Sequence, residues 1–113
     1  MAGRTVRFSA AKKPKYNNRR NEVDGIVFDS LKEARRYKAL LFLQSAGRIT
    51  GLELQVPYDL TVNGMKVCRY VADFRYQDGG REVVEDSKGL RTPIYRLKKK
   101  LMKAVLGIEI YET

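Results

Sequence analysis

Apolar and polar positions change period several times along the chain, and each change marks an element. Gly25-Ile26-Val27-Phe28 is an apolar run of strand length leading into Ser30-Leu31-Lys32-Glu33. Serine and glutamate at this spacing form a capping-box pattern, in which the hydroxyl takes up an orphan N–H at a helix start. The helix is expected to run to about Ser45, with Gly47 ending it. From Ile49 to Leu60 the period falls to two, Leu52, Leu54, Val56 and Tyr58 alternating with Glu53, Gln55 and Pro57 as in a half-buried strand. Asn63-Gly64 then predicts a type I′ turn into a second strand over Arg69–Tyr76, and Asp78-Gly79-Gly80 a hairpin into a third, Glu82–Lys88. Thr92-Pro93 opens a second helix closed by Gly107, and Ile108–Tyr111 reads as a last strand. No internal repeat interrupts this order.

Within the second helix, Ile94, Leu97, Leu101, Ala104 and Val105 fall on one side and are expected to pack. Arg96, Lys99, Lys100 and Lys103 recur on another side with no acid in the helix to offset them. That asymmetry gives the net charge of +10 its meaning, because the charge is not spread evenly. Residues 1–20 hold Arg4, Arg7, Lys12, Lys13, Lys15, Arg19 and Arg20, and residues 91–103 hold Arg91, Arg96, Lys98, Lys99, Lys100 and Lys103. Neither stretch contains an acid, and together they carry thirteen of the 23 basic residues. Such blocks fit a polyanion, with nucleic acid as the leading partner. The first 22 residues lack periodicity and read as a flexible basic arm; residues 23–113 read as one domain.

Composition removes several chemistries. There is no histidine and a single cysteine, Cys68, which excludes zinc sites, His-based triads and an internal disulfide. Cys68 alternates with Tyr70, Ala72 and Phe74 and is expected as a small buried hydrophobe. No apolar run reaches the length of a membrane span, so no membrane partner is expected and a cytoplasmic location is. Catalysis, if present, falls to carboxylates, Lys, Tyr, Ser or Thr.

Those groups converge on the second and third strands. Strand alternation puts Asp86 and Lys88 on one face with Val84, opposite Val83, Glu85 and Ser87. The hairpin brings Asp73 alongside. Two carboxylates about 5 Å apart repel unless a cation lies between them, and a hard, oxygen-seeking Mg²⁺ suits that position. Glu33 has two readings: a capping residue bonding back to Ser30, or a third carboxylate turned toward the buried side with Tyr37, Leu40 and Gln44. Gln55 reads either as a contact to substrate or water near the metal, or as a surface glutamine.

The phrases FDSLKEARRY, LELQVPYDL, YVADFRY and VVEDSKG, in this order and spacing, resemble the PD-(D/E)XK nuclease superfamily. Within it they are similar to a small phage-encoded family of Holliday-junction-resolvase-like endonucleases. The resemblance covers residues 26–112. It implies a restriction-endonuclease-like αβββαβ core, a mixed α/β (α+β) arrangement with helices flanking a mixed sheet. It implies that Asp73 and Asp86 ligate Mg²⁺, for which Mn²⁺ can substitute, with Glu33 and Ser87 counted in the same metal shell. Lys88 is implied to orient or activate the attacking water and to stabilise the phosphate, as a base or as an electrostatic clamp. Ala72 stands where the proline that names the superfamily would be, at a variable position.

The expected function is a Mg²⁺-dependent endodeoxyribonuclease selective for branched DNA, in phage recombination or replication. Asp73, Asp86, Lys88 and Glu33 are the expected catalytic set, and Arg96, Lys99, Lys100, Lys103 and Gln55 the expected DNA contacts. The alternative is a basic nucleic-acid-binding accessory protein on the same fold without turnover. A homodimer is expected too, since a four-way junction needs two cuts and Leu40-Leu41-Phe42-Leu43 offers more apolar surface than one core face covers.

Overall fold

A computed structural model describes residues 7–8, 21–88 and 90–113. In chain order the elements are β1 (Arg7–Phe8), β2 (Glu22–Val23), β3 (Ile26–Val27), α1 (Leu31–Ser45), β4 (Thr50–Val62), β5 (Met65–Asp78), β6 (Arg81–Asp86), α2 (Pro93–Leu106) and β7 (Tyr111–Glu112). From α1 onward the order is αβββαβ, a mixed α+β architecture with two helices flanking the sheet. The main sheet runs β1-β4-β5-β6-β7. Its centre is an antiparallel meander, while the outer pairs β1·β4 and β6·β7 are parallel. A separate two-stranded ribbon, β2·β3, precedes α1. Of the expected basic arm, Arg7–Phe8 and Glu22 stand in strands; Arg4, Lys12, Lys13, Lys15, Arg19 and Arg20 lie outside the described residues.

Local chemistry explains the boundaries. Ser30 Oγ accepts from the Glu33 N–H at 3.0 Å and starts α1. At the other end Gln44 Oε1 accepts from the Leu52 N–H at 2.9 Å, tying α1 to β4. Asn63 and Gly64 both have positive φ, 51° and 78°, as the tight turn between β4 and β5 requires. Thr92 caps α2 through the Tyr95 N–H, and Gly107, left-handed at φ 70°, closes it.

Two apolar clusters hold the layers together. Phe28, Ala34, Tyr37, Leu40, Leu41, Ile49, Leu52, Leu54, Phe74 and Tyr76 pack around α1, with Val83 at the edge. Val56, Leu60, Tyr70, Ala72, Val84, Tyr95, Met102 and Ile110 pack around α2. Val83 and Val84 are neighbours on β6 and join different clusters, so the helices cover opposite faces of that strand. Full burial of each Leu or Phe contributes about 1.5–3 kcal/mol.

β4 departs from the expected alternation. Residues 52–56 are all buried, Glu53 and Gln55 included, and Gln55 has a left-handed backbone, φ 56°. At this residue the strand passes from the α1 cluster, which holds Leu54, to the α2 cluster, which holds Val56. Glu53 is satisfied by Arg75, 2.7 Å from Arg75 Nε, so Gln55 and Glu53 are interior residues and the surface reading of Gln55 is corrected. Cys68 is only half-buried, at the margin of the α2 cluster.

On the other face, Glu85 is fully buried and takes two hydrogen bonds from Arg36, at 2.5 and 3.0 Å. It takes others from Tyr76 OH at 2.8 Å and Thr113 Oγ1 at 3.2 Å. This network fastens α1 and the C-terminus to β6 one residue before Asp86.

Candidate metal and phosphate site

Asp73 and Asp86 come together where β5 runs beside β6. Phe74 pairs with Glu85, which sets Asp73 opposite Asp86 at the next step of the ladder. Asp86 is 0% exposed and Asp73 8%. Each has one oxygen held: Tyr70 OH donates to Asp86 Oδ2, and the Ser87 N–H donates to Asp73 Oδ2 at 2.8 Å. Asp86 Oδ1, although buried, has no hydrogen-bond donor among the described residues. Lys88 Nζ lies 3.7 Å from it. Desolvation, followed by the charge of Asp73, pushes the Asp86 carboxyl well above the usual carboxylate range, against the opposing pull of Tyr70 and Lys88. A buried acceptor without a donor, beside a second carboxylate, is suited to a cation.

Lys88 reaches the site from just past the end of β6, with its side chain 38% exposed and its ammonium over the Tyr95 ring, 5.6 Å from the centroid. Its main-chain carbonyl accepts from Lys32 Nζ at 3.3 Å. Charge pairing to Asp86 and contact with an aromatic face leave one side of the ammonium in solvent, where a phosphate can meet it.

Glu33 is buried at 4% exposure in the first turn of α1, and its Oε2 accepts from Gln55 Nε2 at 3.2 Å. By register Gln55 stands opposite Asp73, between the pairs Leu54–Phe74 and Val56–Ala72. Glu33 is thus bonded to a residue that the strand register sets beside Asp73. Among the described residues no three His, Cys, Asp or Glu side chains form one metal-holding group, so Glu33 is not drawn into a common cage with Asp73 and Asp86. Mg²⁺ commonly binds through one or two carboxylates, with waters and substrate phosphate completing its shell, and the aspartate pair meets that requirement. The Ser87 side chain is buried and its Oγ has no partner among the described residues, so it adds a second unsatisfied oxygen to this end of β6.

A family model described as "Protein of unknown function (DUF1064)" matches residues 13–109. The chain belongs to the DUF1064 family. No curated protein and no solved structure matches it. The DUF1064 match contains Glu33, Gln55, Asp73, Asp86, Ser87 and Lys88, and stops before β7.

On α2 the DUF1064 chain departs from its helical-wheel reading. Ile94 and Leu97 are 63% and 54% exposed; the residues that pack are Tyr95 and Met102, with Leu101 and Val105 at the cluster's margin. The basic stripe is also partly neutralised from outside the helix. Lys99 pairs with Glu112 at 3.2 Å and Lys103 with Glu109 at 3.0 Å, both acids from the C-terminal segment. Arg96 and Lys100 are exposed and make no ion pair among the described residues. Tyr70, Tyr95 and Glu112 were not legible as site residues. Tyr70 lies an odd number of residues from Asp73, which strand alternation assigns to the opposite face, and the other two meet the site only through the packing of α2.

Proposed function

We propose that this DUF1064 chain hydrolyses phosphodiester bonds in DNA with Mg²⁺, or Mn²⁺ in its place. The observation that carries the reading is the buried Asp73–Asp86 pair with Asp86 Oδ1 lacking a donor and Lys88 alongside. When bound, the cation supplies charge neutralisation at the phosphate and lowers the pKa of water. The chain's own residues do the rest. Asp73 and Asp86 hold the cation, their second oxygens fixed by Ser87 N–H and Tyr70 OH. Lys88 presents positive charge to the scissile phosphate from the solvent side, stabilising charge that grows during attack. Exposed Arg96 and Lys100 on α2 are suited to flanking phosphates.

Branched DNA as the preferred substrate, a role in phage recombination and a paired working form follow from the resemblance of the four sequence phrases to resolvase-like nucleases. A binding protein without turnover fits the charge equally well. It gives no reason for two adjacent buried carboxylates, which repel a phosphate backbone and each other.

The test is cleavage of duplex, flap and four-way-junction DNA with and without Mg²⁺. Wild type is expected to cut only with the metal, and Asp86→Asn and Lys88→Ala to lose at least about a hundredfold in rate while still binding DNA. Undiminished cutting in EDTA, or binding without any cutting in Mg²⁺ or Mn²⁺, would sink the reading.

A further inference from the structure

Tyr70 and Tyr95 lie directly against the aspartate–lysine pair, each nearly buried, at 3% and 4% exposure. Their rings are in contact, centroids 6.4 Å apart and tilted by 46°. Tyr70, from β5, donates its hydroxyl to Asp86 Oδ2. Tyr95, from the first turn of α2, carries Lys88 Nζ over its ring at 5.6 Å. The far end of Tyr95 is itself anchored. Its hydroxyl donates to Glu112 Oε2 at 2.7 Å, and Glu112 also pairs with Arg91 at 3.1 Å and Lys99 at 3.2 Å.

We infer that Tyr70 and Tyr95 form an adjacent positioning pair, in which Tyr70 orients Asp86 toward the cation and Tyr95 sets the height of the Lys88 ammonium above the same site. The inference rests on the proposed metal-dependent reading. Its basis is a division of labour in the geometry. A carboxylate has two oxygens, and Tyr70 occupies Oδ2, which leaves Oδ1, the buried oxygen without a donor, to face Lys88. Without the hydroxyl, Oδ2 would be a second buried acceptor lacking a donor, and the carboxylate would rotate or take a proton instead of holding a metal. A lysine stem has several rotatable bonds, so an ammonium 38% exposed needs something besides one 3.7 Å ion pair to stay in place. The Tyr95 ring face provides it.

Three variants separate these roles. Tyr70→Phe keeps the ring and removes one oxygen, Tyr95→Leu removes the ring under Lys88, and Tyr95→Phe keeps that ring but cuts the bond to Glu112. Mg²⁺ binding is read without DNA by calorimetry, and single-turnover cleavage at saturating Mg²⁺ is read separately, with circular dichroism checking that each variant is folded. Tyr70→Phe is expected to weaken Mg²⁺ binding by about tenfold, the scale seen for partners that orient metal ligands, with most of the cleavage rate recovered at saturating metal. Tyr95→Leu is expected to leave Mg²⁺ affinity unchanged and slow cleavage by about tenfold, and Tyr95→Phe to restore it. Unchanged Mg²⁺ affinity in Tyr70→Phe, or equal damage from Tyr95→Leu and Tyr95→Phe, overturns the positioning role while leaving the nuclease reading intact. A wild-type chain that binds no Mg²⁺ overturns both.

Discussion

Asp86 is a buried carboxylate beside a second one, a conflict that Tyr70 and Lys88 offset only in part. Burial and the neighbouring Asp73 raise its carboxyl in the fold, so the folded chain keeps that proton to higher pH than the unfolded chain does. The contribution of Asp86 to metal-free stability is therefore fully present below the ordinary carboxylate range and is lost as pH rises through the raised value. Asp86→Asn removes the charge and keeps an oxygen for Tyr70. In EDTA it is expected to melt higher than wild type at about pH 8, by about 1–2 kcal/mol, and to differ little at about pH 4. Thermal melts across pH decide it, and an equal difference at every pH would remove the conflict. Glu33 has a separate test. Its N–H is capped by Ser30, and a glutamine there still accepts from Gln55, so Glu33→Gln is expected to leave the melting temperature nearly unchanged and reduce cleavage. Lower stability with full cleavage would make Glu33 a structural residue. Asp73, Asp86 and Lys88 were legible because a hairpin and a period of two fix their relative faces. Tyr70 was not, because strand alternation assigns it to the face opposite Asp73.

At the scale of elements, the order and type of every strand and helix from α1 onward were legible from caps, turns and periods, but not every boundary: β5 begins at Met65, ahead of the expected Arg69, and the last strand is Tyr111–Glu112, with residues 108–110 irregular. The faces were less so. A helical wheel finds that Ile94, Leu97, Leu101, Ala104 and Val105 share a side, but α2 is rotated so that Tyr95 and Met102 meet the sheet. The hydroxyl of Tyr95 finds Glu112 at the edge of that interface. Nor does composition reveal the left-handed Gln55, a backbone state rarely adopted by a non-glycine inside a strand, which turns β4 from one cluster to the other. The rotation of α2 changes what its charges can do. Lys100→Ala or Arg96→Ala is expected to reduce the slope of log K against log salt for DNA binding by about one unit each. Lys99→Ala and Lys103→Ala are expected to reduce it by less, because Glu112 and Glu109 already offset those charges. Equal slopes for all four variants would mean that the ion pairs open on binding, and unchanged slopes would put the DNA on another face.

Taken as a whole molecule, the chain carries one Asp73–Asp86–Lys88 set, and symmetrical opening of a four-way junction needs two. A homodimer is therefore the form expected to make paired cuts. The apolar run that suggested an interface is now divided. Leu40 and Leu41 point into the core, Leu43 is half-buried against it, and Phe42 alone projects, 72% exposed. One phenyl ring per chain is a small anchor, yet two-fold symmetry would bring two together. The self-repulsion of two chains at +10 each opposes this contact, and DNA between them relieves it. The dimer is accordingly expected to be weak alone and stable on junction DNA. Sedimentation velocity at about 10 µM, with and without a four-way junction, is expected to show that shift, and Phe42→Ser to abolish it while leaving single-strand nicking in place. A chain that stays monomeric on the junction and still makes paired cuts would refute the dimer; a monomer that only nicks would mark the protein as a nickase acting one strand at a time.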